Sequence, residues 1–373
     1  MIHVRSTYPV APHKTLEPEQ SCLYDAALHP WHFCHHPALG VFRGRLYAMW
    51  SNGREGEDEI GQRVLYAVSA DGKSWSAPKA LCEAFYGVKG INTLTAAGFH
   101  VYDGVLTAYV GAYEYACMER LTDSHGFSRV GSQCVDTRLY ALTSTDGETF
   151  SPPRDLGVAL CPNYGPRKLK DGRLLMTGNW AHAYTDDPAG LRGWTLRGFC
   201  SDPSLLEEPV RDDPGYFWKV SSAMGFPNAL CEGAFLEADG RIHMLHRSYG
   251  SILYESDSTD GGETWSVPEP TEIPNGNAKF WLGTLPDGRY IYIGNPGPGT
   301  SRCPLALSLA GEDMVFDTHA LIESRPISRK FPGMYKGGMY GYPHAVVYED
   351  GLYVIYSVWK EDIRIARVPL AAL

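Results

Sequence analysis

The chain has 373 residues, 44% hydrophobic and 20% charged, with a formal net charge of -10. That composition supplies a core and excludes a disordered chain. The acidic balance excludes a groove tracking a nucleic-acid backbone, which rests on accumulated Lys and Arg, and no run of about 18 apolar residues exists to cross a membrane as a helix. The 40 glycines and 26 prolines lie between short apolar runs, which predicts an all-β chain with many tight connections.

In chain order, Met1 to Val10 lacks the basic stretch and apolar core of a signal peptide. The nine cysteines are odd in number and form no Cys-x-x-Cys pair, so free thiols and a cytoplasmic setting are expected. Ile2-His3-Val4 is the first extended segment. His29-Pro30-Trp31-His32-Phe33-Cys34-His35-His36 follows. Strand alternation predicts that only one of His35 and His36 points inward. A metal site joining them to Cys34 matches no strong zinc spacing, so no metal is expected. The stretch from Ser51 to Glu59 is an acidic loop that also carries Arg54.

Two patterns then repeat. Pairs of apolar strands turn at Gly44, Gly104, Gly172, Gly240, Gly288 and Gly351, and each reads as a hairpin. Three segments run Ser69-Ala70-Asp71-Gly72 to Trp75, Ser144-Thr145-Asp146-Gly147 to Phe150, and Ser258-Thr259-Asp260-Gly261 to Trp265. In each the Asp accepts backbone N–H bonds, the Gly takes positive φ and the aromatic packs beneath. A degenerate copy spans Ser308 to Phe316. Tyr113 to Gln133 is the longest insertion and reads as a polar loop beside a central mouth.

Together the repeats predict one unit over residues 1–373, a six-bladed β-propeller. Each Asp turn would join a blade's third and fourth strands, with Ile2-His3-Val4 closing the ring. Ligands of such a fold sit where the innermost strands open. That register nominates Lys89 and Asn92 in the second blade, Asn163, Tyr164 and Arg167 in the third, and Asn277 and Lys279 in the fifth. Trp31, Trp180, Trp218, Trp281 and Tyr340 are candidates for stacking on sugar rings.

The Asp turns are Asp boxes, and the chain resembles the sialidase superfamily. Sialidases open the innermost strand of the last blade with Tyr, which Gly341-Tyr342-Pro343-His344 matches. They place a Glu on an inner strand two blades earlier and an Arg on the strand after it; here these are Glu232 and Arg247. Their acid/base Asp lies in the loop after the first blade's second strand, which nominates Asp58, with Glu57 and Glu59 beside it. Of their three carboxylate-binding arginines, Arg247 is one; Arg302, Arg325 and Arg329 are candidates for another. The departure is in the first blade. Where sialidases read Phe-Arg-Ile-Pro, this chain reads Phe33-Cys34-His35-His36-Pro37, with His35 in the register of the Arg. Arg gives a permanent bidentate contact, whereas His gives one bond and titrates near neutrality.

The resemblance therefore implies an exo-acting glycoside hydrolase for an acidic or unusual sugar, without a cofactor. Its catalytic residues would be Tyr342, Glu232, Asp58 and His35, with substrate contacts from Arg247, Arg302, Arg54, His36, Arg167, His344 and Asn92. It leaves open a uronate-specific polysaccharide lyase using His and Tyr, and a glycan-binding propeller without catalysis. In each case the partner is a carbohydrate.

Overall fold

A computed structural model of the chain describes residues 3–9, 13–88, 90–115, 119–122, 128–131, 134–178, 181–198, 230–248, 250–297 and 299–373. Six antiparallel sheets form the blades, each ordered from its inner to its outer strand. Blade I is Phe33–Phe42, Arg45–Gly53, Arg63–Ser69 and Lys79–Cys82. Blade II is Ile91–Tyr102, Val105–Tyr115, Cys134–Ser144 and Arg154–Asp155. Blade III is Arg167–Lys168, Leu174–Thr177, Ala181–Thr185 and Thr195–Gly198. Blade IV is Leu230–Ala238, Arg241–Ser248, Ile252–Ser258 and Glu269–Pro274. Blade V is Trp281–Thr284, Tyr290–Gly294, Leu305–Ala310 and Thr318–Glu323. Blade VI is Tyr340–Tyr348, Gly351–Val358, Asp362–Pro369 and, from near the start of the chain, Glu19–Tyr24.

All six expected hairpins join first to second strands. The second strands are almost wholly buried, with apolar stretches such as Leu46 to Trp50, because each blade is covered by a neighbour on both faces. The core divides accordingly into six clusters, one per blade interface. One packs blade VI on blade I through Tyr353, Ile355, Leu46 and Ala48, so the ring is closed.

Closure uses a different segment from the one expected. Glu19–Tyr24 pairs antiparallel with Asp362–Pro369 and completes blade VI. Ile2 lies outside the described residues. Val4 instead donates its backbone N–H to Glu255 of blade IV, and Arg5–Ser6 pairs parallel with Val315–Phe316. His13–Thr15 then adds a fifth, parallel strand to blade V. The insertion read as a loop is in part a hairpin, with Glu119–Thr122 paired to Ser128–Gly131.

Each Asp box joins a third to a fourth strand. Oδ1 of Asp71 accepts the N–H groups of Lys73 and Ser74 at 2.8 Å, and Asp146 repeats this on Glu148 and Thr149. The boxes also fix blade spacing. Gly72 lies against Tyr353 of blade VI, and Gly147 against Tyr47 of blade I. Blade III carries a further version in Thr185 to Trp194. There Asp187 accepts from Leu191 N–H, and both Tyr109 of blade II and Trp194 donate to the Gly190 carbonyl. At Gly147 φ is 77°, and an added Cβ would sit 2.0 Å from the Tyr47 hydroxyl. Gly147→Ala is therefore expected to cost about 3 kcal/mol, from backbone strain and overpacking together. A lower urea midpoint at unchanged m would show it.

Candidate active site

A cavity of about 760 Å³ opens where the inner strands begin. Its side chains come from blades I, II, IV and VI and from the connections leading into blades III, V and VI. The inner strands that supply it are irregular there. Register shifts fall between His35 and Ala38, between Leu230 and Gly233, and between Gly341 and His344. Bulges of this kind re-aim side chains. Several lining residues, among them His36, Asp58, Arg302, Tyr342 and Lys360, have φ between 52° and 57°. Left-handed backbone costs about 1–3 kcal/mol per residue and persists where packing over-determines it.

Tyr342, Glu232 and Arg247 meet at the cavity floor, all three buried. Arg247 Nη1 donates to the Tyr342 hydroxyl at 2.9 Å and also to the Glu232 carboxylate. Tyr342 in turn hydrogen-bonds Glu232. Burial pushes the Tyr342 phenol well above its usual pKa, and Glu232 adds to this. Burial also works to raise Glu232, but Arg247, Lys279 and the bonds from Tyr342 and Arg247 outweigh it, so its carboxyl lies below the ordinary range. An ionised acceptor thus touches a protonated phenol.

Asn277 holds the arginines in place. Its Oδ1 accepts from Arg247 Nε and Nη2 at 2.9 and 2.8 Å, and its carbonyl accepts from Arg302 Nη2 at 2.9 Å. Arg302 Nε and Nη1 are buried without a hydrogen-bond partner, and its guanidinium lies 5.4 Å from the Tyr342 ring. Lys279 donates to the Asn163 carbonyl at 2.7 Å and sits 4.8 Å from the same ring. Burial lowers its pKa to about 8. Lys336 and Lys360 also line the cavity, with Arg329 at its rim. Six cations therefore face three carboxylates, those of Glu57, Asp58 and Glu232, in a chain whose net charge is -10.

Glu57 and Asp58 both reach the cavity from the acidic loop. Glu57 is paired through Oε2 with Lys360, and its Oε1 is 3.7 Å from His36 Nε2 and 4.0 Å from His35 Nε2. The two histidines do not take opposite faces as strand alternation predicts. The bulge and the positive φ of His36 bring both rings to Tyr342, at 3.9 Å for His35 and 5.4 Å for His36. His36 lines the cavity, while His35 is sealed behind it and donates or accepts at Ser357. Cys34 faces the core and receives a bond from Asn52. Cys161 and Cys231 reach the floor, but burial raises both thiols to about 11, so neither is an activated nucleophile.

Other expected contacts lie elsewhere. Arg54 is exposed near Trp31. Arg167 ties blades III, IV and V together by donating to the carbonyls of Phe235 and Leu282. His344 accepts from Leu39 N–H and lies with Arg167 in a narrow channel below the floor. Asn92 is buried beside Tyr140. Arg325 pairs with Glu323 at the surface. Trp281 and Tyr340 belong to the core, and Tyr164 is pinned to the carbonyls of Phe280 and Pro343. The aromatics that line the cavity beside Tyr342 are Tyr113, Tyr335 and Trp359. Lys89, Trp180 and Trp218 lie outside the described residues.

Fold and site together define an Asp-box propeller whose mouth joins a tyrosine–glutamate pair to arginines. The chain belongs to the BNR repeat-like domain family, whose model matches residues 44–355, and its fold is similar to that of solved sialidases. A solved sialidase is 21% identical with a TM-score of 0.64, covering 98% of this chain and 35% of its own. Trypanosoma rangeli sialidase in complex with sialic acid is 12% identical with a TM-score of 0.60, covering 95% of this chain and 59% of its own. The intramolecular trans-sialidase from Ruminococcus gnavus in complex with oseltamivir carboxylate is 15% identical with a TM-score of 0.61, covering 95% and 98%. The chain thus spans about a third of the first of these and about three fifths of the second. A search of curated protein sequences finds no match.

Proposed function

We propose that the chain is an exo-acting glycoside hydrolase for an acidic sugar. The observation that carries this reading is the Tyr342–Glu232–Arg247 cluster at the floor of a cation-rich cavity in an acidic chain. A substrate carboxylate would be held by Arg302 and Arg247 with Lys279 beside them. Such a carboxylate would repel an anionic nucleophile, whereas a neutral phenol approaches without that cost. Tyr342 Oη attacks the anomeric carbon as Glu232 accepts its proton. Asp58 protonates the leaving oxygen and then activates water to release the glycosyl-tyrosine.

The test is a panel of glycosides of sialic acids, other ulosonic acids and uronic acids, each with a fluorogenic leaving group. Hydrolysis releases the leaving group and a saturated sugar. An unsaturated, ultraviolet-absorbing product would instead mark the lyase, and saturable binding without cleavage the glycan-binding propeller. Either result overturns the hydrolase reading.

The pH profile gives a further prediction. Lys279 carries its charge below about pH 8 and loses it as pH rises through that value. KM for an anionic substrate is therefore expected to climb above about pH 8, and Lys279→Met to flatten that limb. A wild-type KM constant to pH 9.5, roughly 1.5 units past this point, would remove Lys279 from substrate binding.

A further inference from the structure

His35 stands where the related enzymes carry a carboxylate-binding arginine, yet it is not built to donate to an anion. The Ser357 hydroxyl lies 2.8 Å from His35 Nδ1 and 3.2 Å from the Gly341 carbonyl, so it holds the ring by Nδ1. With the hydroxyl proton on that carbonyl, Nδ1 carries the imidazole proton and Nε2 presents a bare lone pair. That atom is fully buried and has no hydrogen-bond partner. Two further potential ligand atoms lie beside it. Glu57 Oε1 is 4.0 Å away, and His36 Nε2 is 3.7 Å from the same oxygen. The Nδ1 of His36 is in turn fixed at 3.0 Å by the Ser51 hydroxyl. Lone pairs that converge in a buried place repel one another unless a cation lies between them.

We propose that His35, His36 and Glu57 hold a divalent transition-metal ion, zinc by ligand type, whose open position faces the cavity and receives the substrate's anionic group in place of the missing guanidinium. The ion's site rests on the geometry alone; its role toward the substrate rests on the acidic-sugar reading above. Two imidazoles and one carboxylate are a common zinc set that leaves a fourth position open. Histidine ligands are typically held by a hydrogen bond at the other ring nitrogen, as Ser357 and Ser51 do here. The three ligand atoms lie within 4.8 Å of one another, so closing on zinc at about 2.1 Å requires shifts of about 1 Å. His36 and Glu57 line the cavity, which sets the open side.

A second cluster, His243 with Glu255 and Asp257, makes the contrast. There both ring nitrogens of His243 are already engaged, by Glu255 and Asp239 at 3.0 Å each, and these carboxylates raise its pKa against the pull of burial. It needs no ion and serves as a control.

The experiment adds Co²⁺ to the full chain after chelation and reads visible d–d absorption and stoichiometry. Wild type is expected to bind about one equivalent with a low-symmetry spectrum. Glu57→Gln and His36→Gln should lose that spectrum, and Asp257→Asn should keep it. Absence of the spectrum in wild type, its survival in both cavity variants, or its loss in Asp257→Asn overturns the proposal. Anomalous diffraction from wild-type crystals soaked in Zn²⁺ locates the ion without any variant, and density elsewhere has the same force. Adding N-acetylneuraminate to the Co²⁺ form should shift the spectrum; an unchanged spectrum leaves the ion but removes its role toward the substrate. Hydrolysis of the glycoside panel is read separately. A chain that binds Co²⁺ at these residues and cleaves nothing keeps the site and loses the hydrolase reading. One that cleaves acidic glycosides in chelator and never binds Co²⁺ does the reverse.

Discussion

Tyr342→Phe is expected to lower kcat on a cleaved acidic glycoside by about 10³-fold or more while leaving the fold and most of the substrate affinity in place. Loss of a nucleophile that acts as a unit with its base typically costs several orders of magnitude. The substitution removes one oxygen and keeps the ring, whose contacts with His35, His36 and the ammonium of Lys279 persist. The Arg247 proton now directed at the phenol still has Glu232 beside it, so thermal stability should change little. KM should therefore stay near the wild-type value while kcat collapses, and an unchanged Tm would assign the loss to chemistry. A variant retaining full activity would falsify the tyrosine nucleophile and, with it, the division of roles between Tyr342 and Glu232.

The fold was legible because its determinants are local. Asp71, Asp146 and Asp260 each bond backbone groups two to four residues on, so the boxes survive as short patterns whatever surrounds them. The blade III version was missed because Pro188 and Ala189 lengthen the turn and put its aromatic, Trp194, out of register. Tyr342, Glu232 and Arg247 were legible through their place on strands whose order the repeats define. Lys336 and Lys360 were not. They sit in connections, and Lys360 reaches the cavity only because φ is 56° at that residue. No sequence period reports such a conformation. Strand alternation likewise fails at His35 and His36, because a bulge inserts there and side-chain parity is lost. Arg167 and His344 were expected at the mouth by register. They are drawn below it, where unpaired carbonyls and an N–H group of the inner strands need partners.

Glu232→Gln is the second large expected effect, and it separates stability from chemistry. Glu232 and Arg247 form a buried pair. Removing the carboxylate's charge leaves a buried guanidinium whose remaining named partners, Asn277 and Tyr342, are neutral. Breaking such a pair costs about 3 kcal/mol or more, so the urea midpoint should fall, and activity should fall with it because Tyr342 loses its proton acceptor. Replacing both members, as Glu232→Gln with Arg247→Met, also removes the buried guanidinium charge and should recover part of the stability but none of the activity. The pH dependence carries the same signature. The folded pKa of Glu232 is depressed, so its contribution is present above the unfolded value and is lost as pH falls through the folded one. Wild type should therefore lose its stability advantage over Glu232→Gln on acidification below about pH 4.3, and the two denaturation midpoints should converge. Midpoints that stay equally far apart from pH 7 to pH 3 would mean that Glu232 acts through shape rather than charge, and the ion pair at the floor of the cavity would then not be what holds Arg247 there.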